Sequence, residues 1–416
     1  MLPPTDPLPP EEHRRPLSAV LVATFFVRFG FGLTLAVFAS YIVGRSTGLG
    51  GGDVGTAGLV SAMAPVGEFS TVLISGALAD RYGRWPVLLS GMAGAALLFA
   101  LAAVTRDRWA LGSINLLFGL ASGAILAASL AVVGDRAEET RRGYEMGRFD
   151  AMNLFGWVGG FAVGFGLLGL LPNDRLDLVF AGGAGALGVG LLATALLVRG
   201  APRYRGTSTY NFRTVLGFVF RRSVLLVTLP WLVIYMLIGT ALVFLGTAAQ
   251  GIGVSTTALA LVIGGGGALL VITQPFYGGL ADHFGRTRLM TIGASGFVGV
   301  MVSASLLLAF GVQIPILAAL GISVVLALGY GPAALAALAD LSLMMSRATT
   351  MAIYSLTISL GMIVGLVAST SLYARLGNDG IYLFFGLVST GLIVLTVARI
   401  RDTEAVAVTP PTIPAR

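Results

Sequence analysis

The sequence predicts an all-α membrane protein: twelve transmembrane helices in two pseudo-symmetric six-helix bundles. Three observations predict it. Of the 416 residues, 56% are apolar and only 11% charged, with a mean hydropathy of +0.90. A chain of this size in water could not bury so much apolar surface, so its solvent is mostly lipid. Twelve apolar runs are each long enough to cross about 30 Å of hydrocarbon. One decapeptide also occurs twice, half a chain apart.

Composition narrows the function classes. The 26 basic residues are all arginine, and they set a formal net charge of +7. Cysteine is absent, which excludes disulfides, thiolate nucleophiles and cysteine metal sites. The two histidines, His13 and His283, lie outside the apolar runs, so no metal site is expected. No cofactor is expected either, and there is no G-x4-G-K-[ST] loop for ATP drive.

In chain order, residues 1–15 are rich in Pro, Glu and Arg and read as a disordered cytoplasmic tail. They lack the apolar core of a cleaved secretory signal, so the first apolar run stays as a span. The runs lie at 17–43, 55–79, 85–105, 109–134, 144–171 and 177–198, then 223–248, 255–281, 288–310, 314–340, 349–373 and 380–398. Helices are the assignment for each, because open strands in lipid would leave backbone groups unpaired. The N-terminal bundle covers 16–199, a cytoplasmic linker 200–222, the C-terminal bundle 223–400 and a second disordered tail 401–416. The second part of the linker, Tyr210 to Arg222, reads either as an amphipathic helix on the inner leaflet or as plain connection.

Arginine placement orients the chain. With the N-terminus inside, twenty arginines fall on the inner side and five on the outer side (Arg45, Arg106, Arg108, Arg175, Arg375), while Arg28 lies within the first span. This asymmetry fits the positive-inside rule and puts both termini in the cytoplasm. It also accounts for the basic excess without any nucleic acid.

The first copy of the decapeptide is Gly76-Ala-Leu-Ala-Asp80-Arg81-Tyr-Gly83-Arg84-Trp, and the second is Gly278-Gly-Leu-Ala-Asp282-His283-Phe-Gly285-Arg286-Thr, 202 residues later. In each, an apolar run ends, a carboxylate and basic groups surround a glycine turn, and another run begins. This resembles the signature loop of the major facilitator superfamily, G-x-L-A-D-R-x-G-R-R, which joins helices 2 and 3 and recurs between helices 8 and 9. His283 stands in place of the family's arginine. The repeat extends further: Asp135 precedes Arg142 as Asp340 precedes Arg347, and Gly156 and Gly160 match Gly361 and Gly365 at an offset of 205. Two halves of equal polarity read as parallel repeats, as in that superfamily.

Arg28 and Glu68 are the most informative pair. Arg28 lies about 16 Å into the first span, and Glu68 lies about 18 Å from Asp80 at the inner end of the second. Adjacent antiparallel helices bring both near the bilayer midplane, where charges are costly unless paired or facing an aqueous cavity. Glu68 reads as a proton carrier held ionised by Arg28. Alternatively, Arg28 binds an anionic group of the substrate, with Glu68 as its counter-ion. A permanent salt bridge between the two helices is the structural alternative.

The resemblance implies that Asp80 with Arg81, Arg84 and Arg286 latches the two bundles at the inner face, with Asp282 as its repeat. Asp135, Arg142, Asp340 and Arg347 join the same inner-face network. The fifth span resembles the glycine-rich antiporter motif g-x8-G-x3-G-P-x2-G-G, with Gly147, Gly156, Gly160 and Gly164 in register. Phe161 replaces its proline and Phe165 its last glycine. Small residues at this spacing also read as a packing seam. The fourth span lacks the arginine of its family motif, and Asn115 is its nearest polar residue, close to the outer surface. Asn153, Tyr235, Gln274 and Tyr330 are polar cavity candidates on helices 5, 7, 8 and 10. Gly264–Gly267, Pro230 and Pro275 are candidate softening points in helices 7 and 8.

The resemblance implies a secondary active transporter in the cytoplasmic membrane of a prokaryote, a monomer and not an enzyme. It would move a small solute by alternating access. The expected partners are that small molecule, protons and the lipid bilayer. Proton-coupled efflux of amphipathic or drug-like compounds is the first reading. Proton-coupled uptake of a small anionic solute is the second, and a non-cycling sensor or lipid-handling protein the third.

Overall fold

The computed structural model describes residues 10–44, 54–136, 142–172, 175–199, 217, 220–251, 255–341 and 347–408. Thirteen long helices account for nearly all of them: α1 (Pro10–Gly44), α2 (Val54–Tyr82), α3 (Arg84–Val104), α4 (Arg108–Arg136), α5 (Arg142–Leu170) and α6 (Asp177–Leu197), then α7 (Arg222–Gly251), α8 (Thr256–Phe284), α9 (Arg286–Phe310), α10 (Ile314–Ala327), α11 (Tyr330–Leu341), α12 (Arg347–Leu376) and α13 (Asn378–Val408). Among the described residues, ten segments are long and apolar enough to cross a membrane. The remaining two expected spans fall on α2 and α8, each 29 residues long.

α10 and α11 together occupy the tenth expected span. They are separated at Leu328–Gly329 because Pro332 has no N–H to donate and its ring would meet the carbonyl four residues back. Gly329 N–H accordingly donates to Leu326 O in a tighter turn. α7, by contrast, runs unbroken through Pro230, and α8 through Pro275.

Helix ends follow local chemistry. Asp107 accepts from the backbone N–H groups of Trp109 (3.0 Å) and Ala110 (2.8 Å), which starts α4. Ser255 does the same for α8 through Ala258 N–H. α1 begins at Pro10, inside the segment expected to be a disordered tail. Proline fits a first helical position, because its missing N–H would find no partner within the helix there. α13 likewise runs on to Val408, past residue 400. The linker residues 200–216 lie outside the described residues, as do 1–9 and 409–416.

The two decapeptides form matching turns. Gly83 (φ 95°) and Gly285 (φ 87°) stand between α2 and α3 and between α8 and α9, in a region that disfavours any residue with a Cβ. Gly83→Ala is expected to destabilise the chain by about 1–3 kcal/mol, read as a lower thermal midpoint in detergent. An unchanged midpoint would mean that the turn relaxes freely.

The chain divides into two compact units. The first comprises residues 1–210 with 245–250 and 254–271, and the second the remainder. Within the first unit, α1 packs on α5, α2 on α4, and α3 on α4 and α6. Its core is a run of edge-to-face rings, Phe118–Phe99 and Phe38–Phe180, which ties α1, α3, α4 and α6 together. Gly267 leaves the space that the Val158 side chain fills. Outward faces stay apolar: Leu192 and Leu196 of α6 are 66% and 68% exposed, as a hydrocarbon solvent requires.

Candidate functional site

Arg28 and Glu68 meet. Arg28 Nη1 and Nη2 donate to Glu68 Oε2 (2.8 Å) and Oε1 (3.0 Å), a two-pronged pair that fits the planar guanidinium fork. Both side chains are almost wholly buried, at 3% and 2% exposure. Two more residues complete the arrangement. Arg28 Nε donates to Asn153 Oδ1 of α5 (2.7 Å), and the Ser122 hydroxyl of α4 donates to Glu68 Oε2 (2.9 Å). The guanidinium also lies 5.5 Å from the centre of the Phe31 ring.

Four helices thus contribute one polar side chain each, and glycines bring their backbones close. A Cβ on Gly156 of α5 would lie 2.5 Å from Phe25 O and 2.9 Å from Arg28 Cβ. One on Gly160 would lie 2.2 Å from Phe29 O. On the other side, Gly119 of α4 approaches Ala64 O (2.0 Å for its missing Cβ), and Gly123 approaches Glu68 O (2.9 Å). Gly164 approaches Ala36 Cβ in the same way (2.6 Å). The described glycines of the fifth-span motif are therefore the contact line of α5 on α1, which starts beside the ion pair at Gly156 and runs on to Gly164.

The second unit repeats this packing without its charges. Gly361 and Gly365 of α12 approach Leu232 O and Met236 O of α7, as Gly156 and Gly160 approach Phe25 O and Phe29 O. These equivalences place Tyr235, whose Cβ faces Gly361, where Arg28 stands in the first unit. In the sequence repeat, the decapeptide offset of 202 pairs Leu270 of α8, one of the residues grouped with the first unit, with Glu68. Gly293 lies against Tyr330 as Gly91 lies against Ile125, which puts Ala327 opposite Ser122. Ile358 takes the place of Asn153. The polar set is thus confined to one half of the repeat.

Other expected residues find varied places. Arg84 donates to Ala131 O of α4, and Arg286 donates to Ala336 O of α11 (2.9 Å), the same bond in each unit. Ala131 and Ala336 each stand five residues before the end of their helix, so each bond ties the arginine after the glycine turn to a helix of the same unit. Arg81 is exposed, its guanidinium 5.4 Å from the Tyr82 ring. Nothing stands within 4 Å of a Cβ on Gly278. The side chains of Asp80, Asp135, Arg142, Asp282, Asp340 and Arg347, with Gly76 and Gly147, lie outside the described residues. Tyr330 is buried, donating weakly to Val227 O (3.4 Å), and Gln274 is half-buried. Asn115 is buried, its Nδ2 donating to Val60 O (2.9 Å), so it joins α4 to α2.

Ser122 escaped the sequence reading, because one hydroxyl in an apolar run is ordinary. Its signal was present in the spacing: it follows Asn115 by seven residues, on the same helix face. Among the described residues no group of His, Asp or Glu side chains is placed to hold a metal ion.

Known proteins agree with this architecture. The tetracycline resistance protein, class C, of Escherichia coli is 31% identical over 144 residues, 34% of this chain and 35% of that protein. The class D protein of Salmonella ordonez is 31% identical over 156 residues, 37% of this chain and 38% of that one. The chain thus aligns with little more than a third of the length of these relatives. A POT family transporter, crystallised with a thioalcohol-conjugated peptide, superposes with a TM-score of 0.75 at 15% identity, over 94% of this chain and 96% of that one. The sequence profile of the Major Facilitator Superfamily matches residues 20–296 and 232–415. With the duplicated turn and the mirrored helix packing of the two units, that coverage makes this chain a multi-pass membrane transporter of the major facilitator superfamily.

Proposed function

We propose that the chain exports amphipathic or drug-like compounds in exchange for protons, with Glu68 as the coupling carboxylate. The observation that carries this reading is the buried Arg28–Glu68 pair with its two supports. Asn153 holds Arg28 through Nε, so the guanidinium keeps its place whether or not Glu68 engages it. A proton on Glu68 cancels the charge that Nη1 and Nη2 bind. These two donors then turn to the solute or to water, and the helices that the pair had joined are freed to move relative to one another. Loss of the proton restores the pair. Such a cycle links one proton to one conformational exchange, which is what antiport by alternating access needs.

The efflux direction is supported by the tetracycline resistance relatives and by the glycine line on α5. The excess of arginine on one side supports a cytoplasmic location for both termini, in the inner membrane of a bacterium. A monomer suffices for this scheme, since all four polar residues come from one unit.

The experiment uses tetracycline as probe in inverted membrane vesicles. Glu68→Gln keeps the shape and two acceptor or donor positions but carries no exchangeable charge. Proton-driven accumulation is expected to fall at least about a hundredfold, in the range of a lost proton-transfer group. Accumulation at the wild-type rate would remove Glu68 from the coupling.

One observation favours a second reading. The Arg28 fork already grips a carboxylate in two-point geometry, so a small anionic solute would find a preformed anchor when Glu68 is protonated. The sign of the proton flux separates the two: opposed to the solute in export, parallel to it in uptake.

A further inference from the structure

The α2–α4 contact carries polar groups that the ion pair does not account for. On α2, Ser61, Glu68 and Ser75 are spaced by seven residues; on α4, Asn115, Ser122 and Ser129 are spaced likewise. The register is fixed at two levels, where Asn115 reaches the Val60 and Ser61 carbonyls and Ser122 reaches Glu68. Seven residues are close to two full turns, so Ser75 and Ser129 form a third level on the same faces. Both are wholly buried, and among the described residues neither hydroxyl has a partner; the Ser61 hydroxyl and Asn115 Oδ1 share that state, but beside backbones in direct contact. A buried hydroxyl left in that state costs about 1–3 kcal/mol, so two at one level call for a reason.

Thr71 stands between Glu68 and Ser75 on α2. Its hydroxyl donates to Gly67 O (2.9 Å), which leaves the oxygen open as an acceptor. A Cβ on Gly123 would lie 3.3 Å from Thr71 Cβ, so Thr71 faces α4. The two directions from Glu68 differ. Towards Ser61 the helix backbones touch: a Cβ on Gly67 would lie 2.1 Å from Leu116 O, and one on Gly119 2.0 Å from Ala64 O. No water threads that contact. Towards Ser75, among the described glycines, the tightest such approach is the one at Glu68 itself, from Gly123.

We propose that protons reach and leave Glu68 through this second part of the seam, relayed by Thr71, Ser75 and Ser129 towards the end that carries the Gly83 turn. The proposal rests on Glu68 being the proton carrier. The rise from Glu68 to Thr71 is about 4.5 Å and from Thr71 to Ser75 about 6 Å, each spanned by one water making hydrogen bonds of about 2.8 Å. At every step an oxygen receives a proton on one side and releases one on the other. The hydroxyls therefore end unchanged. One proton moves between the solution and the Glu68 carboxylate, and Arg28 loses or regains its partner.

The test follows protonation of Glu68 directly and needs no transported compound. The full chain in nanodiscs is given a pH jump, and the carbonyl band of a protonated carboxyl is followed by time-resolved infrared, assigned by its loss in Glu68→Gln. Thr71→Val/Ser75→Ala/Ser129→Ala is expected to slow the rise by roughly tenfold or more with the same final amplitude, while Ser61→Ala leaves the rate unchanged. Thr71→Val alone is isosteric and shows a smaller slowing, should the triple variant fail to fold. A wild-type rate in the triple variant, or in Thr71→Val where that is the variant in hand, overturns the relay alone. So does equal slowing by Ser61→Ala. A wild-type chain that never shows the band removes Glu68 as carrier, and the relay with it.

Discussion

Arg28→Met with Glu68 left in place is expected to destabilise the chain by about 3–5 kcal/mol. The variant strands a buried carboxylate that now receives two-point donation from Arg28 and keeps only the Ser122 hydroxyl among these donors. Asn153 Oδ1 loses its Arg28 donor as well. A unit of this size loses roughly 2–4 °C of thermal midpoint per kcal/mol, so unfolding in detergent should begin on the order of 10 °C lower. The informative partner is Arg28→Met/Glu68→Leu. Two apolar side chains need no desolvation and no mutual geometry, so the double variant is expected to recover most of the loss. It should stop short of full recovery, because Ser122 and Asn153 each forfeit a partner at about 1 kcal/mol or more.

Transport should not recover with stability. In the proposed cycle the pair is kept because one member changes charge, whereas a pair kept for adhesion is replaceable by leucine and methionine. A double variant that is stable and still drives solute with protons would make the pair a helix fastener. A double variant that is stable and inactive leaves function as the reason for placing two charges inside the lipid.

The residues that announced themselves in the sequence did so by breaking a rule of their surroundings. Arg28 and Glu68 are charges inside apolar runs, and the decapeptides are polar interruptions of a fixed kind. The helix order and the duplicated turn follow from these alone. Ser122 and Asn153 are different, since a serine or asparagine in a membrane helix is common and its partner is set by helix rotation. Only the α2–α4 register selects Ser122 from the neighbouring hydroxyls, and only the approach of Gly156 to Arg28 selects Asn153. The division at Leu328–Gly329 was open to inference from Pro332, but the apolar run is continuous there and hides it. The charge-free second half was partly visible as a lack of deep acids and bases. That Tyr235 holds the place of Arg28 needed the packing of Gly361 to show it.

Gly119→Ala is expected to be the most damaging single methyl group in the first unit. Its Cβ would lie 2.0 Å from Ala64 O and 2.8 Å from the carbonyl carbon, both backbone atoms that no rotamer change can move aside. α4 must then shift away from α2 by roughly an ångström or tilt about that point, at a cost of about 1–3 kcal/mol or more. Ser122 lies one turn further along α4, and its 2.9 Å bond to Glu68 is the first polar contact that such a shift breaks. Proton-driven transport should therefore fall beyond what lost stability alone accounts for. Gly182→Ala on α6 is the matched control. Nothing lies within 4 Å of its added Cβ, so alanine should be neutral or stabilising by about 0.5–1 kcal/mol. Thermal midpoints of the two variants give the comparison directly. Equal midpoints would mean that α2 and α4 do not touch at Ala64, and the register that aligns Ser122 with Glu68 and Ser129 with Ser75 would fall together with that contact.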